Sequence, residues 1–179
     1  MALNATDGNA SAEVYADEAY ALAYFATHLL KDRWQAVVDK GEDAAALLAA
    51  MPILEDQEYM GLRSTTTQAL EFPRTAPYIN RTAEAATSIV EDSWTDKRGR
   101  VWLSDETPKP VKQAHCELAL IVGENEDWFE HRYKEKAIKT GETKITARVG
   151  RELVGLPNAV FRLLRPFLLN DRESGRTIR

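Results

Sequence analysis

PKPVKQAHCELALIV, Pro108–Val122, reads as one helix and sets the fold of everything around it. Proline is at home in a first helical turn, where the amide hydrogens have no intrahelical partner, so Pro108 and Pro110 open the helix. Val111, Ala114, Leu118 and Ile121 recur at spacings of three and four, and Leu120 and Val122 widen the stripe. A stripe this broad belongs at the centre of a small helical domain. Gly123 is expected to close it.

Outward from it, Asp17 is placed to cap a helix over Glu18–Leu30, with a core face of Ala19, Leu22, Ala23, Ala26, Leu29 and Leu30 and with Tyr20, Tyr24 and Phe25 flanking. Asp32 can cap a further short turn carrying Trp34, Val37 and Val38, ended by Gly41. A second long helix is expected over Glu42–Asp56, with Pro52 kinking it or ending it near Ala50. Gly61–Asn80 reads as a loop that inserts Leu70 and Phe72 into the core. Its Arg74 projects where a carboxylate or a chain terminus could receive its fork, or else forms a structural ion pair within a core-lining loop. Thr82–Glu91 reads as a short helix. Trp94 and Trp102 flank a charged turn, DKRGR, in which Gly99 suits a tight reversal.

Beyond the central helix comes the acidic loop Glu124–Asp127, a helical turn at Trp128–Tyr133, and a hairpin near 133–148. That hairpin folds around Thr140-Gly141-Glu142, with Ala137, Ile138, Ile145 and Ala147 in its strands. A lone hairpin is marginal in water and needs a neighbour. In LPNAVFRLLRPFLL, Val160, Leu163, Leu164, Phe167 and Leu168 keep helical spacing until Pro166 stops it near Leu164 or Arg165. This segment either completes the domain's own core or anchors a partner. The fold class is mainly α: a small helical bundle with one β-hairpin and an extended C-terminal segment. The expected organisation is a flexible N-terminus at 1–13, a helical domain at 14–148, and an anchor helix with a basic tail at 149–179.

The 179 residues suffice for one domain, and 44 % of them are hydrophobic. The formal charge is −5, against a coat for nucleic acid. It is unevenly spread: Arg148–Arg179 holds seven arginines and three acids, net +4, which leaves −9 on the rest. A basic tail of this kind suits docking on an acidic partner. One cysteine, Cys116, excludes an intrachain disulfide framework. No stretch is apolar enough for a membrane span and the N-terminus lacks the pattern of a secretion signal, so a cytoplasmic site of synthesis is expected.

Catalytic patterns are missing. There is no glycine-rich phosphate loop, and His28, His115 and His131 lack metal-ligand spacing. The expectation is therefore no enzyme, no metal and no cofactor. Trp94, Lys97, Arg98, Arg100 and Trp102 form the one cluster of interleaved aromatic and basic residues of the sort that binds single-stranded nucleic acid, and it is short.

Several pieces, in this order, carry a resemblance: EVYADEAYALAYFATHLL, AAALLAAMPILEDQEYMGLRSTTTQALEFPR, TPKPVKQAHCELAL, a lysine-rich hairpin, and LPNAVFRLLRPFL. Together they span most of residues 13–169. The chain resembles the head–tail adaptor, or connector, proteins of tailed bacteriophages, among them a family labelled DnaT-like single-stranded-DNA-binding. It departs from that pattern at Phe72, where tryptophan is common, and over Ile79–Leu103.

The resemblance implies a structural virion protein at the neck. Copies would form a homo-oligomeric ring, a 12-mer, between the portal protein and a downstream neck, tail or stopper protein, with double-stranded DNA passing through unread. The alternative is a single-stranded-DNA-binding replication accessory protein. Candidate portal-binding residues are Leu156, Val160, Phe161, Leu164, Arg165, Phe167, Leu168, Arg172, Arg176 and Arg179. Candidate subunit contacts are Arg74, Trp94, Trp102, Ile138 and Ile145. Removal of Leu156–Arg179 is the test of the anchor: a product that stays folded but loses portal binding supports it, and unchanged portal binding overturns it.

Overall fold

The computed structural model describes residues 2–75, 93–125, 137–140, 143–146 and 156–169. Their elements, in chain order, are α1 (Glu18–Ala26), α2 (Lys31–Asp39), α3 (Asp43–Glu55), β1 (Leu62–Arg63), β2 (Arg74–Thr75), β3 (Ser93–Thr95), β4 (Val101–Leu103), α4 (Lys109–Glu124), β5 (Ala137–Thr140), β6 (Thr143–Thr146) and α5 (Asn158–Leu164). The strands make three antiparallel pairs, β1–β2, β3–β4 and β5–β6. The protein is mainly α with small hairpins. The helices expected at Thr82–Glu91 and Trp128–Tyr133 lie outside the described residues, as do Arg172, Arg176 and Arg179.

α4 is the axis. Pro108 caps it and Pro110 sits in its first turn. It packs most extensively on α3 and α5, and also on α1 and α2. Burial extends beyond the expected stripe to His115, Cys116, Glu117 and Ala119. Gly123 does not end the helix but lies inside it. A Cβ there would stand 3.0 Å from Val37 Cγ1 and 3.2 Å from the Ala46 Cβ, so the missing side chain is what lets α2 and α3 close on α4. Gly123→Ala should therefore destabilise by about 1 kcal/mol, because overpacking outweighs the roughly 1 kcal/mol that alanine gains in helix propensity. A urea-unfolding midpoint at or above wild type would refute the close-approach role.

α1 is capped as its sequence predicts: Asp17 accepts from the Tyr20 amide at 2.8 Å. Its orientation is the reverse of the expected one. Ala21 and Phe25 are buried, Tyr20 and Tyr24 half-buried, and Ala19, Leu22, Ala23, Ala26 and Leu29 face out. The helix also stops at Ala26 rather than Leu30. The aromatic face won because rings bury more area than alanines. The Phe25 ring stacks on Trp34 at 5.0 Å, and the Tyr24 hydroxyl donates to Glu117 Oε1 at 2.7 Å. The same Glu117 carboxylate lies 3.3 Å from His28 Nε2.

α3 runs through Pro52 to Glu55 without ending near Ala50. Pro52 and Leu48, whose carbonyl loses its partner, both lie on the exposed side, where water can take the lost bond. Residues 2–13, within the N-terminus expected to be loose, are tied down. The Glu13 and Val14 amides donate to the Asn4 carbonyl, the Ala69 amide donates to the Asn9 carbonyl, and Lys112 pairs with Asp7 at 3.0 Å. Small polar residues here build turns on the body instead of a free arm.

α5 ends at Leu164, as Pro166 dictates. The residues beyond it fold inward. The Met60 amide donates to the Phe167 carbonyl at 2.7 Å, the Leu169 amide donates to the Glu58 carbonyl at 2.8 Å, and Tyr59 bridges Leu168. The Phe167 ring meets Phe72, Trp94 and Trp102 at centroid distances of 5.9, 5.9 and 5.5 Å. Val160, Leu164, Phe167 and Leu168 are buried in the chain's own core. The four therefore do not offer a portal-binding surface.

Candidate functional site: partner-docking surfaces

Asp96 organises the β3–β4 turn. Its carboxylate accepts from the Arg98 and Arg100 amides at 2.8 and 3.1 Å, from Arg100 Nε at 2.9 Å and from Trp102 Nε1 at 3.0 Å. Burial alone would raise its pKa, but these donors outweigh it and hold the carboxyl below its usual range. Gly99, at φ +76°, takes the left-handed position the turn requires. Asp96→Ala would remove the acceptor from four donors and should cost about 1–3 kcal/mol, read as a fall in urea midpoint and a change in tryptophan emission. Unchanged values for both would show that the turn holds itself.

Trp94 and Trp102 stand directly opposite each other, so both meet Phe167 on one face of the hairpin. Trp94 is buried there and does not offer a subunit contact. Trp102 is half-buried, with Arg100 over its ring at 5.2 Å. Val101 and Leu103 alternate with Trp102 and so face away; they are 67 % and 50 % exposed.

The turn reaches the end of the C-terminal segment. The Lys97 amide donates to the Pro166 carbonyl at 3.2 Å, and Lys97 Nζ donates to the Leu169 carbonyl at 3.1 Å. Leu169 is 57 % exposed, and Arg98, Arg162 and Arg165 are exposed as well. Across residues 93–103 and 156–169 there are five basic residues and one acid, the buried Asp96, with the exposed Glu58 adjoining at Leu169. The exposed charge at this end is therefore positive on balance.

Arg74 is not a free fork. It is buried, with Nε donating to the Met60 carbonyl at 2.7 Å, Nη2 donating to the Gly61 carbonyl at 2.5 Å, and its guanidinium paired with Glu71. Glu71 also takes Arg63, and its own amide donates to Glu55 at 3.0 Å. Burial pushes the Glu71 carboxyl up, but Arg63 and Arg74 prevail and lower it. The network staples the loop after α3 onto that helix, so Arg74 serves the chain's own structure. Ile138 and Ile145 are opposite one another in β5–β6, whose chief contacts are between its own strands. Leu156 and Phe161 are half-buried.

Among the described residues no group of histidine, cysteine or acidic side chains could hold a metal ion, and no helix is long and apolar enough to cross a membrane. The second exposed apolar surface, the α1 stripe, is legible in the sequence as a periodic face, but periodicity alone assigns it to the core.

A family model described as "Putative DnaT-like ssDNA binding protein" matches residues 1–168. The chain belongs to that family. No curated protein and no solved structure matches it. For a member of this DnaT-like family, the tryptophan–arginine cluster is the natural place to look for stacked bases. Here the Trp102 ring is engaged by Arg100 and Phe167, and its N–H by Asp96. Trp94 is in the core.

Proposed function

We propose that the chain is a structural subunit of a tailed-bacteriophage neck, a head-to-tail adaptor with no reaction of its own. Copies associate into a ring that docks on the portal protein at one side and receives a neck, tail or stopper protein at the other, and double-stranded DNA slides through. Assembly takes place in the bacterial cytoplasm and the product resides in the virion. The observation that carries this reading is exposed apolar side chains at separate places in one fold: Leu22 on α1, Val101 and Leu103 on the outer face of β3–β4, and Leu169 beyond α5. Different patches suit the heterologous contacts from which rings close. With Val160, Leu164, Phe167 and Leu168 in the core, portal docking falls to Phe161, Arg165 and the tail with Arg172, Arg176 and Arg179. The acidic body suits a DNA conduit, because it forgoes the counterion release by which basic surfaces hold a duplex.

Electron images of the purified protein, alone and with portal, test it. Rings that cap the portal are expected; a particle that never binds portal overturns the reading. The family description favours a second reading, single-stranded-DNA binding by Lys97, Arg98, Arg100 and Trp102. That reading requires oligonucleotide affinity that falls steeply between about 50 and 200 mM salt.

A further inference from the structure

β4 is an open edge. The Asp96 amide donates to the Arg100 carbonyl at 2.9 Å, so these two residues form a hydrogen-bonded pair. Such pairs alternate with non-bonded ones along an antiparallel ladder. Trp94 and Trp102 are therefore the next bonded pair. Val101 and Leu103, opposite Thr95 and Ser93, turn their N–H and C=O groups away from β3. β3 itself has β2 beside it. Among the described residues, nothing donates to or accepts from the outward backbone groups of Val101 and Leu103. The side chains of both are exposed as well. An edge of this kind is a template for another strand, and native chains blunt it with lysine, proline or a bulge. Val101-Trp102-Leu103 carries none of these.

The sequence around this edge is complementary to itself. Arg98 and Arg100 precede the apolar residues, Asp105 and Glu106 follow them, and all four are exposed. We infer that two copies of this chain join through β4, antiparallel about Trp102, so that Val101 of each copy lies opposite Leu103 of the other. This register uses every outward group: Val101 and Leu103 exchange both hydrogen bonds across the join, twice over by symmetry. Opposite residues share a face, so the two valines and two leucines form one apolar cluster on the outer side. The Trp102 rings stay on the other face, with Phe167. A slip of one residue would set outward groups against Trp102, whose backbone is taken by Trp94, and the bonds would be lost. The arginines of one copy lie toward the acids of the other, whereas parallel pairing would bring like charges together. Three residues a side are few against the roughly 1,000 Å² of a stable interface, so the pair is weak and concentration-dependent. A twofold contact closes at two copies. It is therefore not the contact that builds a ring and goes beyond the neck reading, to which Leu22 and Leu169 remain.

Cysteine cross-linking of the full chain tests the register. The Cα atoms of a hydrogen-bonded pair lie about 5.5 Å apart, within disulfide range, whereas each residue and its own twofold mate stand beyond about 7 Å. Val101→Cys and Leu103→Cys, mixed and treated with oxidised glutathione, should form a covalent heterodimer about tenfold faster than either forms a homodimer. The native Cys116 is buried and does not compete. Arg98→Glu, added to both proteins, should slow the cross-link about tenfold, and Glu106→Arg added on top should restore it. All four positions are exposed, so circular dichroism should match wild type throughout. Absence of the heterodimer, homodimers formed as fast as the heterodimer, or a charge reversal that the second substitution does not restore would each overturn the contact. Electron images with portal decide the neck reading independently, so either can fail while the other stands.

Discussion

Ending the chain before Leu156 is expected to abolish folding, whereas ending it after Leu169 should leave a cooperative unfolding transition close to wild type. The first cut removes Val160, Leu164, Phe167 and Leu168, all buried against α4 and the aromatic cluster. Each such side chain is worth about 1.5–3 kcal/mol of burial, and a domain of this kind has about 5–15 kcal/mol in all. The single change Phe167→Ala should already cost about 3–5 kcal/mol, since the ring is shared by Phe72, Trp94 and Trp102. Far-ultraviolet circular dichroism and urea titration of the three proteins settle the matter. A folded, cooperative product of the first cut would mean that α5 is a detachable anchor.

Acid should weaken the protein through His115. The ring is fully buried; Nδ1 accepts from the Ala16 amide at 3.2 Å, so Nε2 carries the hydrogen that is donated to the Leu47 carbonyl at 2.8 Å. Burial lowers its pKa from 6.5 to about 4, only partly offset by the Leu47 bond. Above pH 6.5 the ring is neutral in both folded and unfolded chains and titration contributes nothing. As pH falls below 6.5 the unfolded chain takes a proton that the native state refuses, so stability drops. Near pH 4 the native ring protonates too and the loss levels off at about 3 kcal/mol.

Glu55 works against this. Burial raises its carboxyl pKa, so native protein protonates there before the unfolded chain does and gains stability as pH falls through the raised value. The effect of His115 is therefore read by difference. Urea midpoints of wild type and His115→Gln, which cannot titrate, should diverge in slope between pH 6.5 and 4. Parallel slopes would dispose of His115 as the cause.

Local punctuation was legible in the sequence. Asp17 as a cap, Gly99 in a turn, Pro108 at a helix start and Pro166 beyond a helix end act through their own backbone and need no distant partner. Which face meets the core was legible for α4, where the apolar stripe is broad. It was not legible for α1, because a helix apolar all round has no preferred side by periodicity, and the choice fell to Trp34 and Glu117 from elsewhere in the chain. Gly123 likewise signals a helix end or a close approach, and only Val37 and Ala46 decide between them. The same ambiguity governed the candidate site. Val160, Leu164, Phe167 and Leu168 present one apolar face whether it meets a partner or their own α4. His115 bridges Ala16 and Leu47 across separations that no local pattern encodes.

The inward-folded segment at 156–169 also bears on how the molecule is made. These residues leave the ribosome after every helix they pack against, so α3 and α4 cannot be sealed while the nascent chain is still short of Leu168. Until then the aromatic cluster lacks its central ring and the half-built domain offers its interior to chaperones and proteases. Translation that aborts early yields a product destined for degradation, and only chains finished through this segment reach the sealed fold.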